Sequence, residues 1–215
     1  ERRYIRKDRG VVWVNRTVSI ARDEDGKPLY FIMVVEDVSE RRRAKEKLAQ
    51  LAQYDSLTGL PNRLAFEERL ARALASPTDS PVALTMLDID HFKSVNDGFG
   101  HDAGDEVLVE FAVRLATNVR AVDLPCRMGG EEFAVIAFVE RAEQMHALGD
   151  KLCAAIRDLG IAHEGSPTGH LTISLGTTTV DAAGWEAIEA AYQRADAALY
   201  RAKTEGRDRA SIAGG

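Results

Sequence analysis

The chain has 215 residues, 45% hydrophobic and 29% charged, which is room for one good-sized α/β domain and an accessory piece. A formal net charge of −6 argues against general binding to nucleic acid, while leaving space for a local basic pocket that takes one nucleotide. The two cysteines, Cys126 and Cys153, are too few for a disulfide framework and lack CxxC or Cys/His spacing, so they read as reduced thiols of a cytoplasmic protein. No run is apolar enough for a membrane segment, and no signal peptide is visible.

Residues 1 to about 38 read as strands. "YIRKDRGVVWVNRTVSI" alternates toward Trp13, Val14, Val18 and Ile20, "RDEDGKP" turns at Asp25-Gly26, and "LYFIMVVEDV" is a second strand. A lone hairpin of this kind is marginal in water and calls for a partner surface. The chain opens at Glu1 inside strand-like text, the mark of a piece of a longer protein in which a sensor or membrane region has room. The period then changes. "DVSERRRAKEKLAQLAQYD" spaces Ala44, Leu48 and Leu51 for one helix face, and Asp37 with Glu40 resembles a capping box. That stripe fits a two-stranded coiled-coil stub or a solvated linker helix, and its length of about two heptads does not choose between them.

From residue 55 the text reads as one domain. Asn62 is placed to cap a helix carrying Phe66, Leu70 and Leu74. "PVALTMLDID" is a strand buried on both faces until it meets Asp88 and Asp90. Residues 102–119 form a helix turned inward through Val107, Leu108, Phe111 and Leu115. "RMGGEEFAVIAF" is a hairpin with a Gly-Gly turn. A helix over 141–159, the strand "HLTISLGTTTV", a helix over 185–203 striped with Trp185, Ile188, Tyr192, Ala195, Leu199 and Ala202, and a short closing strand near Arg209 to Ile212 complete the order. Helices separated by strands and a hairpin imply a sheet, mixed or antiparallel, with helices packed on it.

Alternation puts Asp88 and Asp90 on one face of their strand and sends Glu131 and Glu132 to opposite faces of theirs. If the strands are neighbours, one glutamate joins the aspartates, and three carboxylates at a strand edge repel each other until a cation neutralises them. Hard oxygen ligands suit Mg²⁺ or Mn²⁺ bound together with substrate phosphates, the setting of two-metal phosphoryl and nucleotidyl transfer. The bland account is solvated acids at strand ends; two such motifs in one domain weigh against it. In "HFKSVNDGFGHDAGDE", Lys93 is a compact cation suited to phosphate. Asn96 and Asp105 offer the donor and acceptor groups that read a base edge, and an Asp accepts from guanine N1–H and its amine but meets an acceptor at adenine N1. The same residues also fit a simple turn at Asn96-Asp97-Gly98 and a helix cap at Asp102 or Asp105. Lys203 and Arg207 flank Gly206, a helix breaker, where they complement the helix dipole or clamp β/γ-phosphates. Arg127 reads as a strand-surface cation.

"DSLTGLPNR", "LDIDHFKSVNDGFGHDAGD", "RMGGEEF", "TISLG" and "ADAALYRAKTEGRD" together, in this order over 55–213, resemble the GGDEF family of diguanylate cyclases. The resemblance implies an α/β (α+β) fold with a central, mostly antiparallel sheet and flanking helices, related to the nucleotidyl cyclase and polymerase palm. It implies condensation of two GTP into cyclic di-GMP with loss of two pyrophosphates, by a homodimer. Carried over residue by residue, Asp88 resembles the metal aspartate and Ile89 lends its carbonyl. Glu131 resembles the metal ligand and base, with Glu132 a second metal partner. Lys93 resembles the phosphate-stabilising lysine, Asn96 and Asp105 the guanine readers with His101 in their loop, and Lys203 and Arg207 the phosphate clamp. Glu131 stands where the family's name has Asp, and active members carry either. Arg120 and Asp123 match the family's RxxD inhibitory site before the Gly-Gly turn, where an Arg forks onto phosphate or the guanine Hoogsteen edge. The N-terminal text resembles the last strands of a PAS sensor leading into a signalling helix, which divides the chain into 1–38, 39–54 and 55–215. Two rivals remain beside a cyclase: a module that senses cyclic di-GMP through RxxD without making it, and a dimeriser silent without its sensor.

Overall fold

The structure, a computed structural model, describes residues 2–75, 81–139, 141–180 and 185–213. The chain divides into two compact units, Glu1–Leu51 and Ala52–Gly215.

In the first unit, β1 (Arg2–Ile5), β2 (Val11–Arg22) and β3 (Pro28–Asp37) form an antiparallel sheet in the order β1-β2-β3. The single strand expected over 4–20 is in fact two. The run is broken at Lys7–Arg9, where Arg9 adopts φ 66° and its N–H bonds to the Arg6 carbonyl, a reversal that charged, turn-prone residues permit. Of the residues expected to point inward, Val14 is buried and Trp13 is half-buried beneath the Arg42 guanidinium, 3.8 Å from its ring. Val18 and Ile20 are exposed, as is every residue of β3. Helix α1 (Ser39–Gln53) follows a local turn in which the Asp37 carboxylate accepts from the Ser39 N–H at 2.9 Å, two residues on and not the Glu40 contact of a capping box.

The second unit is a five-stranded sheet between two helical layers. Its elements are α2 (Arg63–Ala75), β4 (Val82–Ile89), α3 (Phe92–Phe99), α4 (His101–Asn118), β5 (Leu124–Gly129), β6 (Glu132–Phe138), α5 (Ala142–Arg157), β7 (Ile173–Val180), α6 (Trp185–Thr204) and β8 (Arg209–Ile212). The strand order is β5-β6-β4-β7-β8, antiparallel throughout except for the parallel pair β7 and β8. Alternation along the buried central strand β4 divides the core. Val82 and Leu84 meet Phe66 and Leu70 of α2 and Ile188, Ala191 and Ala195 of α6. Ala83, Leu87 and Ile89 meet Leu108, Phe111 and Leu115 of α4 and Leu152 and Ile156 of α5. The Phe111 and Phe133 rings pack tilted by 54° with centroids 4.5 Å apart in the second layer, worth ~1 kcal/mol beyond their buried area. Asn62 caps α2 as its position implies, its Oδ1 accepting the Ala65 N–H at 3.0 Å. The side chain of Trp185, first in the expected α6 stripe, lies outside the described residues.

Gly176 of β7 is required by packing: a Cβ there would collide with the Ala195 carbonyl and the Leu199 nitrogen, so α6 lies backbone to backbone on the strand.

Candidate active site

The end of β4 delivers the first acids. Even-numbered residues of β4 face α6, so Asp88 turns toward that helix, and Lys203 Nζ reaches its Oδ2 at 2.8 Å. Burial pushes the Asp88 carboxyl above its ordinary value; Lys203 opposes this, and the nearby charges of Glu131 and Asp90 add to it. A buried carboxylate in this state gains from any further positive charge brought to it.

Asp90 is used differently. It is 1% exposed. Its Oδ1 accepts from Ser174 Oγ at 2.7 Å, and its Oδ2 from Thr172 Oγ1 at 2.8 Å and the Asp208 N–H at 3.2 Å. The expected convergence of three carboxylates on a cation is therefore not found: among the described residues no group of three His, Cys, Asp or Glu is placed to hold a metal ion. The physical reason is that Asp90 spends its lone pairs inside the protein, on two hydroxyls and a backbone amide.

The Gly-Gly turn supplies the remaining acid. Gly129 and Gly130 have φ 146° and 53°, open to glycine without strain, and the β5/β6 register shifts between Arg127 and Gly129. Asp88 pairs in register with Glu132 across β4 and β6, yet the Glu132 residue is exposed. Glu131 sits half-buried in the turn itself, its carbonyl accepting from the Ile89 N–H at 3.4 Å, and its charge is the one that acts on Asp88. Asp88, Ile89 and Glu131 are thus adjacent. The Asp88 carboxylate, the Ile89 carbonyl and the Glu131 carboxylate form a hard-oxygen donor set, and the cation already drawn to Asp88 shows the sign of charge this corner takes; both fit Mg²⁺ or Mn²⁺.

Arg127 is not the surface cation its position in the sequence implies. Its side chain is 11% exposed, pairs with Asp55 at 2.9 Å, and donates from Nε and Nη2 to the Gly130 carbonyl at 3.0 and 2.8 Å. Asp55 also accepts from the Thr58 N–H and hydroxyl, at 2.9 and 2.7 Å. Arg127 therefore fastens the glycine turn to the "DSLTG" entry. The two partners lie 72 residues apart, and no local pattern announces the pair.

Beyond β4 the chain enters α3 rather than a loop. Asn96-Asp97-Gly98 are helical, not a turn, and the chain reverses at Gly100 with φ 87°. The N-cap of α4 is Gly100 with no side-chain cap bond, so neither Asp102 nor Asp105 is a cap. Asn96 is nevertheless packed against α4 at Gly104, next to Asp105 in the chain, because its amide oxygen lies where a Cβ on Gly104 would stand. The sequence signal was the glycine inside a helix. Asp105, His101 and Lys93 are exposed.

The far side of the corner is built by the end of α6. The Arg207 N–H bonds to the Ala202 carbonyl at 2.9 Å across Gly206, φ 114°, a Schellman ending with glycine at its usual place. Arg207 and Asp208 follow with φ 61° and 49°. Arg207 Nε lies 3.9 Å from Asp90 Oδ1, and Asp208 pairs with Arg157 of α5 at 2.9 Å. Lys203 and Arg207 thus face Asp88 and Asp90.

Arg120 and Asp123 lie at the opposite end of β6. The Arg120 guanidinium forks onto the Asp123 carboxylate, Nε to Oδ2 at 2.9 Å and Nη2 to Oδ1 at 2.7 Å, and also reaches the Phe138 carbonyl.

Comparison with known proteins gives the family. The family model "Diguanylate cyclase, GGDEF domain" matches residues 52–209. Diguanylate cyclase DgcP of Pseudomonas aeruginosa is 45% identical over 170 residues, covering 78% of this chain and 25% of that protein. The response regulator PleD of Caulobacter vibrioides is 43% identical over 171 residues, covering 74% and 36%. The chain therefore spans about a quarter to a third of the length of these curated relatives. Among solved structures, the coiled coil and GGDEF domain of DgcB from Caulobacter crescentus in complex with c-di-GMP superposes with a TM-score of 0.72 at 31% identity, covering 82% of this chain and 93% of that one. Motifs, sheet order and these matches agree, and the chain belongs to the GGDEF family of diguanylate cyclases.

Proposed function

We propose that the 52–215 unit condenses two GTP into cyclic di-GMP, releasing two pyrophosphates, as one half of a homodimer. One observation carries this reading: the Asp88 carboxylate, raised by burial, lies beside Glu131 and the Ile89 backbone with Lys203 already drawn to it. Asp88, the Ile89 carbonyl and Glu131, with Glu132 in reserve, would hold Mg²⁺ or Mn²⁺, which would supply positive charge to the phosphates and lower the cost of ionising the attacking 3′-OH. Lys93 meets the phosphates from the start of α3, while Lys203 and Arg207 close on the β/γ end. Glu131 accepts the 3′-OH proton. Asn96 and Asp105 hold the guanine edge, with His101 beside them, and Asp105 repels adenine by meeting its N1 lone pair. One unit positions one GTP, so two must face each other before each 3′-oxygen stands in line with the other α-phosphorus, and much of the rate comes from that approach.

Arg120 and Asp123 serve as the site at which the product feeds back, opening their mutual fork to the phosphates and guanine of cyclic di-GMP. The N-terminal sheet is the C-terminal portion of a PAS-like sensor, 1–38, and 39–54 the signalling helix that sets the distance between the two cyclase units. Among the described residues no helix is long and apolar enough to cross a membrane. The reading places this part of the protein in the cytoplasm, where GTP is found.

Incubation of the purified chain with GTP and Mg²⁺ over a range of protein concentrations tests the proposal. Cyclic di-GMP should form with a specific activity that rises with concentration; its absence at every concentration would end the reading.

A further inference from the structure

We infer that Asp90, which touches neither metal nor substrate in the reading above, is the positioning residue for the phosphate clamp. The inference rests on the clamp role proposed for Arg207. Asp90 is buried at the exit of β4, and its carboxylate joins three separate segments. Two hydroxyls of the β7 approach, Ser174 at 2.7 Å and Thr172 at 2.8 Å, hold the carboxylate in one orientation, and the Asp90 N–H bonds to the Thr172 carbonyl at 2.9 Å. In that orientation Oδ2 receives the Asp208 N–H at 3.2 Å, and Oδ1 faces the Arg207 guanidinium at 3.9 Å.

What Asp90 holds is a stretch of backbone that resists its own shape. Gly206, Arg207 and Asp208 run consecutively at φ 114°, 61° and 49°. Residues with a Cβ seldom adopt that region, and they persist there only when their surroundings over-determine them. Asp90 supplies the backbone half of that constraint, and Arg157, at 2.9 Å from Asp208 Oδ1, the side-chain half. The Arg207 side chain is 43% exposed and, among the described residues, makes no ion pair other than that with Asp90, so its direction follows from the turn beneath it. Asp90 thereby presents Arg207 to the phosphate end while Asp88, two residues earlier, is left to Lys203 and a cation.

The test is a double-mutant cycle on the full chain, reading GTP affinity, KM and kcat. Arg207→Ala should weaken GTP binding roughly tenfold or more, the scale of a lost hydrogen bond to a charged group. Asp90→Ala should reproduce that loss, chiefly in KM, and should add little when combined with Arg207→Ala. Asp90→Asn keeps, with its carbonyl in the Oδ2 position, an acceptor for the Asp208 amide and the Thr172 hydroxyl, and its NH2 donates to the Ser174 oxygen, so it should recover most of the affinity. Hydrogen exchange over 205–210 should quicken in Asp90→Ala and not in Asp90→Asn. If Arg207→Ala weakens binding while Asp90→Ala leaves it unchanged, the positioning role is wrong and the clamp stands. If Asp90→Asn fails as badly as Asp90→Ala and both losses add to that of Arg207→Ala, Asp90 is a general support of the sheet and the inference falls. If Arg207→Ala binds GTP normally, the clamp reading itself is wrong.

Discussion

Strand β6 has very different electrostatics at its two ends. At its start, next to the glycine turn, Asp88 and Glu131 crowd together, and Asp88 is held above its ordinary value by burial despite Lys203 beside it. At its end, roughly 20 Å away along the strand, Asp123 is as buried as Asp88 but is met by the two-pronged fork of Arg120. One end carries more negative charge than the protein neutralises; the other is matched within itself. The first arrangement suits a site completed by a cation and a phosphate. The second suits a site that opens only when a ligand offers both partners something better than each other.

The sharpest way to break this contrast is Glu131→Gln. Synthesis of cyclic di-GMP should fall by about a thousandfold or more, since the substitution removes a base and a metal donor together. Binding of cyclic di-GMP, measured by calorimetry, should be unchanged because Arg120 is untouched. Loss of both would mean that the two ends are not independent. Arg127→Ala comes next. It frees the Gly130 carbonyl and strands the partly buried Asp55, so kcat should drop about tenfold, with ~1–3 kcal/mol of stability lost; wild-type kcat in a folded variant would show that the turn needs no fastening. Arg120→Ala should abolish product inhibition and leave initial rates intact, at a stability cost of about 1–3 kcal/mol, because it strands the buried Asp123 carboxylate. Inhibition that persisted would remove the feedback role from this pair.

The smallest effect concerns pH. A carboxyl whose folded value is raised stabilises the fold most when protonated, below its unfolded value, and that contribution is lost as pH rises through the folded value. Ionised Asp88 is therefore a cost at neutral pH in the metal-free protein. Asp88→Asn should raise the metal-free melting temperature, at about 2–4 °C per kcal/mol for a chain of this size, and the gain should shrink toward pH 4. A melting temperature lowered at neutral pH would show that the Lys203 pair outweighs the burial.

Much of the fold was legible because its signals are local. The apolar run of β4, the glycines of the β5–β6 turn and the helical stripes of α2, α4 and α6 each declare themselves within a dozen residues. The signals that failed are long-range. Nothing near Asp90 shows that Thr172, Ser174 and Asp208 will use up its oxygens, so three acids looked like one metal cluster. Nothing near Arg127 points to Asp55. The break between β1 and β2 was hidden for the opposite reason: alternation continues across it and masks the turn signal of Asp8, whose Oδ1 accepts the Gly10 N–H at 2.9 Å.

The contact at Gly176 bears on how such a protein is tuned. Because α6 rests on β7 through main-chain atoms, the height of the helix above the sheet is fixed by covalent geometry and not by the choice of side chains. Lys203 is carried on that helix about one turn beyond Leu199, so its reach toward Asp88 is inherited from a missing methyl group on the strand beneath. Substitutions at residue 176 would act as a spacer under a lever, changing the grip on phosphate without altering any group that touches it.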